Sequence, residues 1–144
     1  MAVGTPDFSI YPNMNPIEIE HNVYMGRWLG CLWQTYGCVV LPVISWWGKD
    51  TYDICFRGIE YESIVIVSTI GCTNHTDIFL CGFKEMKKRI NPPLIIVYGE
   101  MIEGMTGRFV NIKYKDAFNS NKKGMYKQLS LFKEADIFEI KEAI

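Results

Sequence analysis

The feature that most constrains this chain is a set of short apolar runs, rich in β-branched residues and separated by stretches of helical periodicity. Residues 38–44, 63–68 and 94–98 carry Val39, Val40, Val43, Ile44, Ile64, Val65, Ile66, Val67, Ile95, Ile96 and Val97 in near-continuous succession. Runs of this length, apolar at successive rather than alternate positions, fit strands buried on both faces. Between the last two, residues 76–90 place Phe79, Phe83, Met86 and Ile90 on one helical face, and Pro92 with Pro93 ends the helix. Strands alternating with helices specify an α/β fold: a mainly parallel β-sheet flanked by helices, joined by right-handed crossovers in a single small domain.

The remaining elements follow from local chemistry. Asn15, Pro16 and Glu18 predict a helix start, with Asn15 as cap, Pro16 in the first turn and Glu18 reaching back as a capping box. Ile17, His21, Tyr24, Trp28, Cys31 or Leu32, and Thr35 then recur at helical spacing and predict the buried face, with Gly37 as the stop. Residues 1–4 read as a loose end, 6–11 as a short strand, 49–57 as a short helix stopped by Gly58, and 109–114 as a strand nearer an edge. Pro42 marks a break in the strand 38–44. Residues 115–127 are polar and basic and read as a tether, so the chain divides into an α/β domain at 1–114, the tether, and a C-terminal tail at 128–144.

Composition excludes several classes. With 49% hydrophobic and 22% charged residues in 144, the chain is neither disordered nor a membrane protein, and no apolar run is long enough to span a bilayer. No signal-peptide pattern opens the sequence, so the expected location is the cytoplasm. Cys31, Cys38, Cys55, Cys72 and Cys81 form no Cys-x-x-Cys pair and read as buried thiols of a reducing compartment. Charge is uneven: three basic residues face eight carboxylates up to residue 83, whereas ten face four between 84 and 127. Lys84, Lys87, Lys88 and Arg89 suit the solvated face and last turn of a helix. Arg108, Lys113, Lys115, Lys122, Lys123 and Lys127 form the candidate DNA-contacting set.

Candidate chemistry is sparse. Strand-end segments converge in an α/β sheet, which makes Asp7, Ser9, Trp46, Thr69 and Tyr98 the candidate ligand-pocket residues. Asp7, Asp53 and Glu100 are candidate acids, bases or metal ligands, with Arg27 or Arg57 to meet a phosphate, although no two share a motif spacing. Cys72 and His75 make one Cys-x-x-His pair, which lacks the partner pair of a zinc site. His21 falls on the apolar helix face, so His75 alone is left for a catalytic triad. Neither a P-loop nor a dinucleotide fingerprint is present, and no metal or cofactor is expected. Trp46 and Trp47 can stack a base, but neighbours at a strand end point oppositely, which assigns one of them to the core.

Two resemblances add to this reading. The segments Pro6-Asp7-Phe8-Ser9, Arg27 with Gly30, Gln34 and Gly37, Val40-Leu41-Pro42-Val43-Ile44-Ser45-Trp46, Phe56-Arg57-Gly58-Ile59, Val67-Ser68-Thr69-Ile70-Gly71 and Val97-Tyr98-Gly99 resemble an uncharacterised family of phage and mobile-element proteins. That resemblance spans residues 5–100, implies a mobile-element origin and carries no activity. Next to longer members the chain looks shortened at its N-terminus.

Gln128, Leu129, Ser130, Leu131 and Phe132 are similar, residue for residue, to the pentapeptide by which bacterial replication and repair proteins dock on the DNA polymerase sliding clamp. From average residue usage such a string arises in roughly one chain of this length in a few thousand. Leu129, Leu131 and Phe132 are apolar anchors and Gln128 a rim hydrogen-bonding group, the pattern of an extended peptide in a cleft. The competing pattern is an amphipathic helix, since Leu131, Ala135 and Phe138 also lie at helical spacing. The expected function is therefore clamp binding by a phage protein, to recruit or inhibit host replication. The alternatives are binding or hydrolysis of a nucleotide-like small molecule as counter-defence, and a DNA-binding accessory role.

Overall fold

The computed structural model, which describes residues 2–113 and 137–141, holds a two-stranded sheet and a five-stranded sheet, each ordered as the chain runs. Strand β1 (Ala2–Gly4) pairs in parallel with β2 (Val39–Leu41), and β3 (Val43–Ile44), β4 (Val65–Ser68), β5 (Ile95–Tyr98) and β6 (Gly107–Ile112) follow as parallel neighbours. Strand β7 (Phe138–Ile140) closes the order antiparallel to β6, with Phe109 opposite Phe138 and Arg108 opposite Glu139. The fold is α/β, as the alternation of runs predicts. Two local expectations are corrected. The first strand is Ala2–Gly4 instead of 6–11, because Pro6 has no N–H to continue a ladder whose last rung is Thr5 N–H to the Leu41 carbonyl at 3.0 Å. Phe138, which also fits a helical spacing, stands in a strand and packs its ring 5.9 Å from that of Phe109.

Pro42 divides β2 from β3, and each backbone group at the break finds a partner. The Pro42 carbonyl accepts from Ile66 N–H at 2.9 Å, and Val43 N–H donates to the Thr5 hydroxyl at 2.9 Å. The strand thus changes neighbour, from β1 to β4, without leaving a buried polar group unpaired.

Helix α1 (Pro16–Thr35) begins with a full capping box: Asn15 Oδ1 accepts from Glu18 N–H at 3.0 Å and Glu18 Oε2 accepts from Asn15 N–H at 2.9 Å. Its buried face is the opposite of the expected one. Ile17 is 79% exposed, Tyr24 and Trp28 are also exposed, and so is His21, which is no core histidine. Ile19, Gly26 and Gly30 are buried instead, and Val23 packs against the core. The glycines let the helix backbone settle onto the sheet edge: a Cβ at Gly30 would lie 3.0 Å from Thr5 Cγ2 and 3.3 Å from Val40 Cγ1. Hydropathy does not mark such a face, because close approach selects for small size rather than apolarity.

A 3-10 turn at Lys49–Thr51 leads into the short helix α2 (Tyr52–Cys55), and α3 (Thr76–Ile90) covers the sheet centre. The core joins Ile19 of α1, Tyr52 and Cys55 of α2, and Phe79, Phe83, Met86 and Ile90 of α3 to Ile44, Val65, Val67, Ile95, Val97 and Phe109 of the sheet. These strand residues share one parity, so all three helices lie on one face. Val43, Ile66, Ile96, Val110 and Ile112 occupy the other parity, and among the described residues no helix packs over them. Lys87 Nζ donates to Thr106 Oγ1 at 2.7 Å, and Arg89 bridges Glu85 at 2.7 Å and Asp53 at 2.6 Å, so two of the four basic residues near the α3 C-terminus hold neighbouring segments. All five cysteines are free thiols, but only Cys55 is buried, and Cys31 and Cys81 are exposed.

An aromatic stack runs through the core. Trp46 lies 5.2 Å from Phe79 and meets Phe56 edge-on at 5.7 Å, and Phe83 links Phe79 to Phe109. The Trp46 indole nitrogen rests against Gly82 of α3, where any Cβ would collide with it. Gly82→Ala is therefore expected to destabilise the fold by about 1–3 kcal/mol, read from the denaturant midpoint. Combining it with Trp46→Leu should recover part of that loss, and simple additivity of the two changes would show that the contact is not what Gly82 accommodates.

Candidate functional site

The carboxyl ends of β3 and β4 open into a hollow of about 190 Å³, over which the segment after β1 arches. Asp7, Ser9 and Tyr11 come from that segment, Ser45, Trp46 and Trp47 from the end of β3, and Ser68, Ile70, Gly71 and Cys72 from the end of β4. A wider groove of about 440 Å³ continues from it over the sheet face opposite α1, α2 and α3, lined by Val43, Ile66, Ile96, Tyr98 and Ile112. Asp7, Ser9, Ser68 and Ile70 border both.

Asp7 is fixed by Ser45, whose hydroxyl donates to Asp7 Oδ1 at 2.7 Å. Ser68 Oγ accepts from Ile70 N–H at 3.3 Å, which shapes the turn after β4. Trp47 is held by its backbone, N–H to Thr51 Oγ1 at 3.2 Å, and by an edge contact with His75 at 5.0 Å. Burial raises the Cys72 thiol above its ordinary range, and the nearby Asp7 carboxylate raises it further. A thiol so placed stays protonated at neutral pH and is a poor nucleophile.

The structure brings some of the sequence candidates together and separates others. Asp7, Ser9 and Trp46 border the hollow, and Tyr98 borders the groove beside it. Thr69 does not reach either: it is 3% exposed, and its hydroxyl donates to the Glu100 carbonyl at 2.7 Å, tying the end of β4 to the end of β5. Asp53 is bound to Arg89 on the helical side, Arg57 pairs with Glu20, and Glu100 is exposed away from both linings, so the three carboxylates form no cluster. Among the described residues no group of three or more His, Cys, Asp and Glu is placed to hold a metal ion. The Cys-x-x-His pair is a turn, closed by His75 N–H to the Cys72 carbonyl at 2.9 Å.

Arg27 has a structural task. Its guanidinium donates to the carbonyls of Cys55 at 3.1 Å, Val43 at 3.3 Å and Arg57 at 3.5 Å, and burial lowers its pKa. With its donors turned to the backbone, it is not aimed at a phosphate. Ser45, Trp47, Ser68 and Cys72 line the hollow within the strand-end segments 45–48 and 68–74, where sequence reasoning expects a pocket, although they are not among the individual pocket candidates. The signal that finds Ser45 is parallel adjacency at a strand end, since it meets Asp7 across 38 positions. Of the DNA-contacting candidates, Arg108 sits opposite Glu139 and Lys113 follows β6 at the other parity, while Lys115, Lys122, Lys123 and Lys127 lie outside the described residues. So do Gln128, Leu129, Ser130, Leu131 and Phe132.

Two outcomes test this assignment of roles. Arg27→Ala is expected to cost about 2–4 kcal/mol, and Arg27→Lys to recover only part, because one ammonium cannot span three carbonyls; full stability of the lysine variant in chemical denaturation would refute the staple. For Cys72, the raised pKa means that its thiolate fraction, and hence its iodoacetamide reactivity, grows only as pH climbs above the usual thiol range. Asp7→Asn should move that rise to lower pH, which mass-spectrometric labelling reads directly.

Among the described residues no helix is long and apolar enough to cross a membrane. No solved structure matches the chain. The chain is similar to the Gene 1 protein of Mycobacterium phage L5, 38% identical over 103 residues that cover 69% of this chain and 45% of that protein. It is also similar to the Gene 1 protein of Mycobacterium phage D29, 39% identical over 106 residues that cover 69% of this chain and 39% of that protein. It thus spans less than half the length of these curated relatives. A family model described as a domain of unknown function, DUF4417, matches residues 1–116, and the chain belongs to that family of phage proteins.

Proposed function

We propose that this protein is a phage adaptor that docks on the bacterial host's sliding clamp through Gln128, Leu129, Ser130, Leu131 and Phe132, to recruit or to block the host replication machinery. The observation that carries the reading is the pentapeptide itself, set in the connection between β6 and β7. Because both flanking strands belong to one sheet, the motif is tied to the domain at each end. The domain adds support by what it does not assemble among the described residues: its carboxylates are scattered, Arg27 is bound to carbonyls, and Cys72 is held as a thiol. Hydrolysis of a nucleotide finds no equally specific constellation.

Deleting residues 128–144 is a poor test, since it also removes β7 and the Phe138 ring that packs on Phe109. The double substitution Leu131→Ala with Phe132→Ala is the cleaner one. It is expected to lower affinity for the host clamp by at least about a hundredfold, as two apolar anchors of about 1.5–3 kcal/mol each are lost. Surface-bound clamp and full-length protein give the readout, with the thermal midpoint as a folding control. Undiminished binding, or no binding by the unaltered protein, overturns the proposal. Host DNA synthesis on expression then separates the two consequences: arrest indicates blockade, and unimpaired synthesis indicates recruitment.

A further inference from the structure

We infer that the hollow at the ends of β3 and β4 is a binding site for a small aromatic or apolar molecule bearing a protonated amine or amidine, with Asp7 as the anchor for the cation. The charge of the lining leads to this class. Among the described residues that border the hollow and its adjoining groove, Asp7 alone is charged. No Lys, Arg or His of the described residues lies within ion-pair distance of it. Its one hydrogen-bond donor among the described residues is the Ser45 hydroxyl, which orients the carboxylate through Oδ1. A carboxylate held in this way, at a mouth otherwise lined by hydroxyls and apolar groups, suits an ammonium or amidinium donor.

The walls suit the rest of such a ligand. Ile10, Ile44 and Phe79 form an apolar floor, and Trp47, pinned by Thr51 and His75, provides a fixed aromatic edge. Tyr11 and Ile70 are 62% and 51% exposed at the rim, an apolar mouth that no described element covers. Cys72 lines the same hollow, its thiol raised first by burial and further by the Asp7 carboxylate. A polyphosphate suits the site poorly, since no described lining residue is cationic and Asp7 would repel it. Binding here is independent of the clamp-docking segment, and either can fail without the other.

Three probes that share a flat ring but differ in charge test the assignment on the full chain: tryptamine, indole-3-propionate and adenosine monophosphate. Amide and indole resonances are followed by nitrogen–proton correlation spectroscopy. Tryptamine is expected to shift signals of Ser45, Trp47, Ser68 and Gly71 at millimolar concentration, with the two anions at least about fivefold weaker, as suits an exposed charge pair. Asp7→Asn should weaken tryptamine by about fivefold, while Glu103→Gln, which removes an exposed carboxylate outside both linings, should hold it within about twofold. Equal binding by indole-3-propionate, shifts that map elsewhere, no shift at all, or equal losses in the two variants would overturn the inference. Should Asp7→Asn fail to fold, the comparison of tryptamine with the two anions on the unaltered protein still decides it.

Discussion

The structure depends on how one strand is allowed to break. Pro42 cannot donate a hydrogen bond, so the strand it interrupts would leave buried backbone groups unpaired on either side. Three partners from distant parts of the chain resolve this: Thr5 accepts from Val43 N–H, Ile66 donates to the Pro42 carbonyl, and Arg27 donates to the Val43 carbonyl. Arg27 then continues to the carbonyls of Cys55 and Arg57, so a single guanidinium fastens α1 to the break and to the end of α2. Because its partners are dipoles and not a carboxylate, the charge is solvated by the backbone itself. The geometry of Ser45, two residues beyond Val43, and so of the Asp7 contact, is inherited from this knot.

Topology explains why the hollow lies where it does. Strand order follows the chain without reversal in both sheets, from β1 to β2 and from β3 through β6, with the Pro42 break linking the two. With every crossover right-handed, a sheet that grows in one direction sends every helix to the same face. That is why α1, α2 and α3 share the Ile44, Val65, Val67, Ile95, Val97 and Phe109 face. A doubly wound sheet would place its ligand crevice where strand order reverses, but no such reversal exists among these parallel strands. The hollow arises differently: Pro6 ends the β1 ladder, and the segment beyond it passes over the strand ends carrying Asp7 and Ser9.

The parts of the fold that were legible in the sequence are those governed by local chemistry. The capping box at Asn15 and Glu18 and the face of α3 through Phe79, Phe83, Met86 and Ile90 follow from spacing alone, and the structure holds both. The face of α1 was not legible, because Gly26 and Gly30 mark it by the absence of a side chain, whereas Ile17 and Tyr24 remain in solvent. Strand β7 was not legible either, since Phe138, Glu139 and Ile140 acquire their partners from Arg108 and its neighbours far back in the chain. The same holds for the site. Asp7 and Ser9 fall at a strand end that sequence can indicate, but the Asp7–Ser45 bond and the turning of Arg27 toward carbonyls are non-local facts.

The placement of β7 bears on the physics of the proposed clamp docking. A free tail of random conformation loses backbone freedom for every residue that it orders in a cleft, at about 1–2 kcal/mol each. A connection whose ends are already joined by the β6–β7 ladder has given up part of that freedom on folding, through loop closure. The proposed docking would therefore start from ends already held by the three-residue β6–β7 ladder, which favours affinity. The register pair Arg108 and Glu139 and the rings of Phe109 and Phe138 therefore bear on the proposed docking: weakening them would loosen the β6–β7 ladder without touching the pentapeptide itself.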